Sequence, residues 1–346
     1  MIRKLTTGLI AGLLVVSVGL GKFSKVATTG ANFLKISSGR AVGMGDAFVA
    51  IADDASAAYF NPAGLAQVGR SVHANHADWL ADMNHDYLAV ALPVTNFGTV
   101  AFSVAALTMG KMEITQIDNP NTKTREDEGT GLYFNASDFA FGVSYSRMIT
   151  DKLSFGLTAK GVTQVVWDMS ASALGLDLGL FYNTGFKSLR IGATVTNFGT
   201  ALAFSGRQLD YSLNPLESLP SGLMGSHKTQ AVPLPTSFRF GVAYDILSDE
   251  VNRLTAAVDV THPSDINETV NFGLEYGLSD AFFLRAGYIL NSDGEYQQSI
   301  GQLTGLSAGL GVKVKPDWGP RIGLDYAFRY YTYLKPTHRV MLTLGF

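Results

Sequence analysis

From about residue 70 to its end the chain repeats one pattern: a large apolar residue at every second position, with something small or polar between. Leu174, Leu176, Leu178, Leu180 and Tyr182 alternate with Gly175, Asp177, Gly179 and Phe181, and Val270, Phe272, Leu274, Tyr276 and Leu278 alternate with Asn271, Gly273, Glu275 and Gly277. The runs 238–246 and 321–330 read the same way. A period of two marks β-strands whose two faces meet different surroundings. Applied along the chain it predicts fourteen strands, near 71–80, 84–94, 99–114, 137–149, 152–165, 172–184, 188–198, 236–247, 253–262, 268–278, 281–291, 305–315, 320–332 and 338–346.

The residue types on the two faces decide what the strands build. A soluble barrel encloses its large apolar side chains and turns Lys and Glu outward. Here the bulky aromatic and aliphatic set forms one face, and Gly, Ser, Thr and charges the other, which suits lipid outside and a polar lumen inside. Runs of about 10 residues are long enough to cross a bilayer at a tilt. The connections agree: the even-numbered ones (95–98, 150–151, 185–187, 248–252, 279–280, 316–319) are short, and the long pieces (115–136, 199–235, 292–304) are all odd-numbered. Short periplasmic turns opposite long extracellular loops are the asymmetry of bacterial outer-membrane barrels. The last strand alternates Val340, Leu342 and Leu344 and stops at Phe346, a terminal pattern that resembles an assembly signal. The expected fold class is therefore all-β: a 14-stranded antiparallel transmembrane β-barrel in a bacterial outer membrane, with membrane lipid and the barrel-assembly machinery as partners.

The N-terminus has a different texture. Arg3 and Lys4 precede an uncharged apolar run from Leu5 to Gly21, with Gly19 and Gly21 spaced as at a cleavage site. This is the layout of a secretory signal peptide over 1–21, with a single anchoring helix as the alternative. Residues 22–70 then form a plug or hatch segment ahead of the barrel at 71–346. Within it Gly39, Gly43 and Gly45 permit close approach and unusual dihedrals, but they do not form a phosphate loop. Asp53 or Asp54 is placed to cap a short helix beginning near Ala55, and Asn61-Pro62-Ala63 to end it. These residues read as structural parts of a plug inside the lumen, or else of a periplasmic connection.

Composition narrows the functional classes. Charged residues reach only 16% and the net charge is −3, so nucleic acid is not an expected partner. With no cysteine, disulfides and Cys-based metal sites are excluded. His73 and His76 fall on opposite strand faces, which speaks against a shared metal. Asp127 with Glu128 and Asp249 with Glu250 read as solvated turn charges. No Ser/His/Asp arrangement can be assembled, so neither enzyme activity nor a cofactor is expected. Trp318 and the tyrosines 330, 331 and 333 suit interfacial girdles.

The inward positions collect both signs: Lys160, Asp177, Arg190, Arg239, Asp245, Asp259, Glu275, Arg285, Lys313, Arg321, Asp325 and Arg329. They read as a stabilising lumenal network or as a polar ligand path; mixed sign opposes a simple ion channel. The hexapeptide 94–99, Val-Thr-Asn-Phe-Gly-Thr, recurs at 195–200 and reads as shared strand-end turn chemistry.

One stretch carries a family resemblance. Gly39-Arg40-Ala41-Val42-Gly43-Met44-Gly45-Asp46-Ala47, then Asp53-Asp54-Ala55-Ser56-Ala57, then Asn61-Pro62-Ala63-Gly64-Leu65 resembles the N-terminal signature of the FadL-like superfamily of fourteen-stranded barrels. The opening looks most like the PorV/PorQ branch. That resemblance implies a shuttle or interaction component of type IX protein secretion, with secretion-system proteins or exported clients held by the extracellular loops, especially 199–235. The superfamily alternative is a transporter of hydrophobic small molecules such as long-chain fatty acids. A structural barrel without transport is the third reading.

Overall fold

The computed structural model describes residues 28–115, 129–213, 223–316 and 319–346. The signal-peptide, Asp127–Glu128 and Trp318 expectations lie outside them. Fourteen antiparallel strands close a barrel: β1 (Ser71–Asp78), β2 (Asn84–Val94), β3 (Gly98–Thr108), β4 (Ala136–Met148), β5 (Leu153–Val166), β6 (Met169–Asn183), β7 (Arg190–Gly199), β8 (Ser237–Ser248), β9 (Asn252–Pro263), β10 (Thr269–Leu278), β11 (Phe282–Asn291), β12 (Ser307–Val314), β13 (Arg321–Arg329) and β14 (Thr337–Gly345). Each strand pairs with its sequence neighbours, and β1 pairs with β14 to join the ends. Closure leaves no unpaired edge, which a lipid environment requires.

The period-two reading fits this wall. On β6, Leu174, Leu176, Leu178 and Leu180 are exposed on the outside, whereas Ala173, Asp177 and Phe181 are buried inside. Phe238, Phe272, Leu284, Leu310, Leu324 and Leu342 continue the outer apolar belt on other strands. No helix among the described residues is long and apolar enough to cross a membrane.

Several boundaries differ from expectation by a few residues, and the pairing explains two of them. Strand β3 stops at Thr108, and the alternation beyond it belongs to a separate loop hairpin that pairs Met112–Thr115 with Gly129–Phe134. Strand β6 begins three residues early, because Met169 and Ser170 pair with Val166 and Val165 across a two-residue turn.

The lumen also differs, and for a physical reason. It is not a polar space: residues 29–68 run through it, with Phe33, Val42, Met44, Phe48, Phe60 and Leu65 fully or almost fully buried. The strands meet them with inward Ala89, Ala91, Ala101, Ala243 and Ala257. Small residues that look like filler on the polar face are the space into which this segment packs. Glycines do the same: backbone around Asn61–Ala63 lies against Gly156 and Gly179, and Val49 against Gly192.

Candidate functional site

The lumenal segment enters at the long-loop end and leaves at the short-turn end. At its start Gly30 N donates to Pro233 O at 2.9 Å and Ala31 N to Gln164 Oε1 at 3.0 Å. Thr29 Oγ1 donates to Asp265 Oδ2 at 2.5 Å, and Lys35 forms an ion pair with the same carboxylate. Asp265 lies in the connection between β9 and β10. Burial pushes its carboxyl up, but the hydrogen bonds from Lys35 and Thr29 outweigh burial and hold it below the ordinary value. A depressed folded-state value means the anchor is at full strength above about pH 4 and is lost as pH falls through that lower value. Because the chain lacks cysteine, a spin label on Thr28→Cys reports the arm alone. Its motion is expected to rise only on acidification, and Asp265→Asn to loosen it already at neutral pH. Equal label motion in the parent and in Asp265→Asn at neutral pH would refute the anchor.

Further in, a short helix α1 (Gly39–Gly43) opens with Gly39 N donating to Asn75 Oδ1 at 2.9 Å. Its Arg40 is buried and makes a two-pronged contact with Glu275, Nε to Oε2 and Nη2 to Oε1, both at 3.0 Å. Glu275 Oε2 also accepts from Arg285 Nε at 2.6 Å, and Arg285 pairs with Asp325. Asp53 and Asp54 close the other side of Arg40. This chain of charges ties the lumenal segment to β10, β11 and β13. A buried carboxylate between two guanidiniums avoids the cost of an unpaired charge.

Gly45 and Asp46 then turn with φ of +62° and +63°. A Cβ on Gly45 would lie 2.6 Å from Tyr288 N and 2.8 Å from Phe272 O, so only glycine fits. Gly43 also approaches Gly309, with Gly309 Cα 3.2 Å from where its Cβ would stand. Asp46 pairs with Arg329 at 2.9 Å. Asp259 Oδ2 accepts from the backbone of Phe48 and Val49 at 2.8 and 2.9 Å.

Asp54 Oδ1 accepts from Ser56 N at 2.8 Å and so sets up helix α2 (Ala57–Phe60). Asn61 ends it and joins three elements. Its Nδ2 donates to Val49 O at 3.0 Å and to Leu180 O at 2.9 Å, while Oδ1 accepts from Ala63 N at 3.1 Å. Ser146 Oγ donates to Ala63 O at 3.1 Å.

The inward charges divide into pairs. Lys160 meets Asp177 at 2.7 Å and Arg190 meets Asp245 at 2.6 Å. Arg239 lies over the Tyr59 ring at 6.0 Å and Lys313 over Phe283 at 4.6 Å. Arg321 shares the inward parity of Gly323 and Asp325 but is exposed, at the short-turn rim. Phe346 is 72% exposed, and its N donates to Arg70 O at 2.8 Å. His73 is buried and His76 exposed, as opposite faces require, and no group of three metal-binding side chains occurs among the described residues. Asp249 accepts from Asn252 N and Val251 N, which holds its carboxyl below the ordinary value in an open turn. Asn96 and Asn197, the shared residues of the repeated hexapeptide, both adopt a left-handed φ, +62° and +60°.

Sequence reasoning missed Arg40, Asp46, Asp265 and Arg339. Arg339 is fully buried, with Nε donating to Ser37 O at 3.2 Å; its inward parity on β14 was the available signal. Gly305-Leu306-Ser307-Ala308-Gly309 has the spacing of a nucleophile elbow, but Ser307 opens the regular strand β12 and no strand–turn–helix follows.

Above the lumenal segment, at the long-loop end, lies a cavity of about 600 Å³. Ile266, Ile289, Ile300, Leu334, Tyr296 and Tyr331 give it apolar walls. Tyr331 and Tyr333, expected in a membrane girdle, line this cavity instead, because β13 ends at Arg329 and the chain turns back over the mouth. The walls are braced together: helix α3 (Gly294–Ser299) is capped by Asp293, and Thr304 Oγ1 lies 2.8 Å from Thr332 Oγ1. Two lining residues also hold the lumenal segment, Arg329 through Asp46 and Asp265 through Lys35 and Thr29.

A closed fourteen-stranded membrane-type barrel filled by its own N-terminal segment, with an apolar cavity at one mouth, defines the class. Solved structures share this fold. The toluene transporter TodX of Pseudomonas putida superposes with a TM-score of 0.54 at 12% identity, over 93% of this chain and 98% of that one. The CymD monoaromatic hydrocarbon channel gives 0.53 at 12%, over 89% and 96%. A Pseudomonas aeruginosa FadL homologue gives 0.51 at 13%, over 93% and 98%. No family model and no curated protein sequence matches the chain.

Proposed function

We propose that this protein is a non-enzymatic outer-membrane channel that admits hydrophobic small molecules, with residues 28–70 as its movable obstacle. The observation that carries the reading is the double use of Arg329 and Asp265, which line the external cavity and also grip the lumenal segment. A molecule that settles among Ile266, Ile300 and Leu334 displaces water from apolar walls and presses on both grips. Loosening them frees the start of the segment and the Gly45–Asp46 turn. The three similar structures, two of them described as transporter or channel for aromatic hydrocarbons, support the same direction. The secretion-shuttle reading has the N-terminal resemblance behind it and no loop feature among the described residues to favour it.

The test is uptake of a labelled aromatic hydrocarbon by proteoliposomes containing the full chain. Ile300→Trp, which fills the cavity, is expected to cut the protein-dependent rate several-fold while leaving thermal stability unchanged. Uptake no faster than in empty liposomes would remove the transport reading.

A further inference from the structure

Three polar side chains on three successive strands meet inside the wall. Lys160 of β5 places Nζ 2.7 Å from Asp177 Oδ2 on β6 and donates to Asn197 Oδ1 on β7 at 2.6 Å. The other carboxylate oxygen, Asp177 Oδ1, accepts from Asn197 N at 2.7 Å, and Asn197 Nδ2 donates to Pro235 O at 3.1 Å. The group is shut away from bulk solvent. Side-chain exposure is 12% for Lys160 and 1% for Asp177, and Asn197 is 4% exposed. Its surroundings are mostly apolar. The Lys160 stem and buried Leu234 both press on the space left by Gly175, and Leu34 and Tyr87 share the small adjoining cavity of about 30 Å³. Asn197 reaches this place because its left-handed φ interrupts the β6–β7 register, which shifts between Leu176 and Leu178.

A salt bridge needs only two of these residues. An amine that touches both a carboxylate and the carbonyl oxygen of a primary amide has all the components of a transamidation, held together so that no encounter entropy remains to be lost. We propose that Lys160 and Asn197 become joined by an isopeptide bond, with Asp177 as the proton carrier.

The step balances without any further reagent. A proton passes from Lys160 Nζ to Asp177 Oδ2, and the free amine attacks Asn197 Cγ. Asp177 returns that proton to Nδ2, the Cγ–Nδ2 bond breaks, and the amide nitrogen leaves as ammonia. The remaining excess proton on Nζ is lost through the Asp177 carboxylate. One Nζ–Cγ bond forms, one Cγ–Nδ2 bond breaks, and nothing is oxidised or reduced. Low exposure keeps water from hydrolysing the intermediate. The product staples β5 to β7 across β6, at the irregular point of the ladder.

Intact mass of the folded full chain under denaturing conditions tests the proposal, with Lys160→Arg as the reference. After correction for the substitution itself, the unsubstituted protein is expected to be lighter by one ammonia. Proteolysis should release a branched peptide that joins the Lys160 and Asn197 strands. Asp177→Asn should keep the full mass. An unsubstituted protein at full mass overturns the proposal, and so does conversion of Asn197 to Asp without a branched peptide. If Asp177→Asn fails to fold, the mass and branched peptide of the unsubstituted chain still decide.

Discussion

Deleting residues 30–70 is expected to turn a filled lumen into a conducting pore. The deletion removes the whole buried run from Ala31 to Val68 and leaves the fourteen-strand ladder, whose pairing partners all lie at or beyond Ser71. What remains facing inward is mostly alanine, glycine, serine and threonine, a few larger side chains such as Tyr87, Phe283 and Met341, and charges including Asp177, Asp259, Glu275, Arg285 and Asp325, a lining that water can wet. Single-channel recording in planar bilayers should therefore show steady conductance well above that of the intact chain, which rests closed or nearly so. The deleted chain should keep its heat-modifiable barrel mobility on gels. A folded deletion that conducts no more than the parent would mean that residues 30–70 are not the barrier.

Glu275→Gln is expected to cost about 3–5 kcal/mol, the range for breaking a buried ion pair from one side. Among the described residues Glu275 is the only carboxylate that touches both Arg40 and Arg285, and all three are buried. The amide keeps the shape but leaves two guanidiniums facing each other with less negative charge between them. The lumenal segment should detach before the barrel melts. An earlier thermal transition, seen as protease cleavage near residue 53 ahead of loss of β-structure, would report this. If both transitions stay together and move by less than about 1 kcal/mol, the contact is worth no more than a surface pair.

The barrel was legible because it is written locally. Each strand declares its faces every second residue, and the parity of long and short connections fixes the strand count without any knowledge of contacts. Where alternation misled, at Met112–Thr115, the pattern continued although the pairing partner had changed. The interior was far less legible, since Arg40 meets Glu275 across 235 positions and Lys35 meets Asp265 across 230. No periodicity spans such distances. The small residues on the inward face were read only as polar-face filler for another reason: their role is the volume they leave empty, and the pattern records only what is present. The Asn61-Pro62-Ala63 segment was visible as a motif, but its bonds to Val49 and Leu180 were not.

The path of the lumenal segment has a consequence for the order of assembly. Its first described residues are fastened at the loop end, and its last ones leave at the turn end beside Phe346. Gly39 sits against Met341 and Arg339 of β14, the final strand to be made. A finished cylinder would have to be threaded lengthwise by a chain whose own continuation is already part of its wall. It is simpler for the segment to lie in the open sheet first, as a core around which the sheet curls. Strand β14 then meets β1 last, and the seam shuts over contents already in place. The N-terminal segment is in this sense enclosed and not inserted: a bulky substitution in it should obstruct the seam, whereas its removal leaves the ladder free to shut.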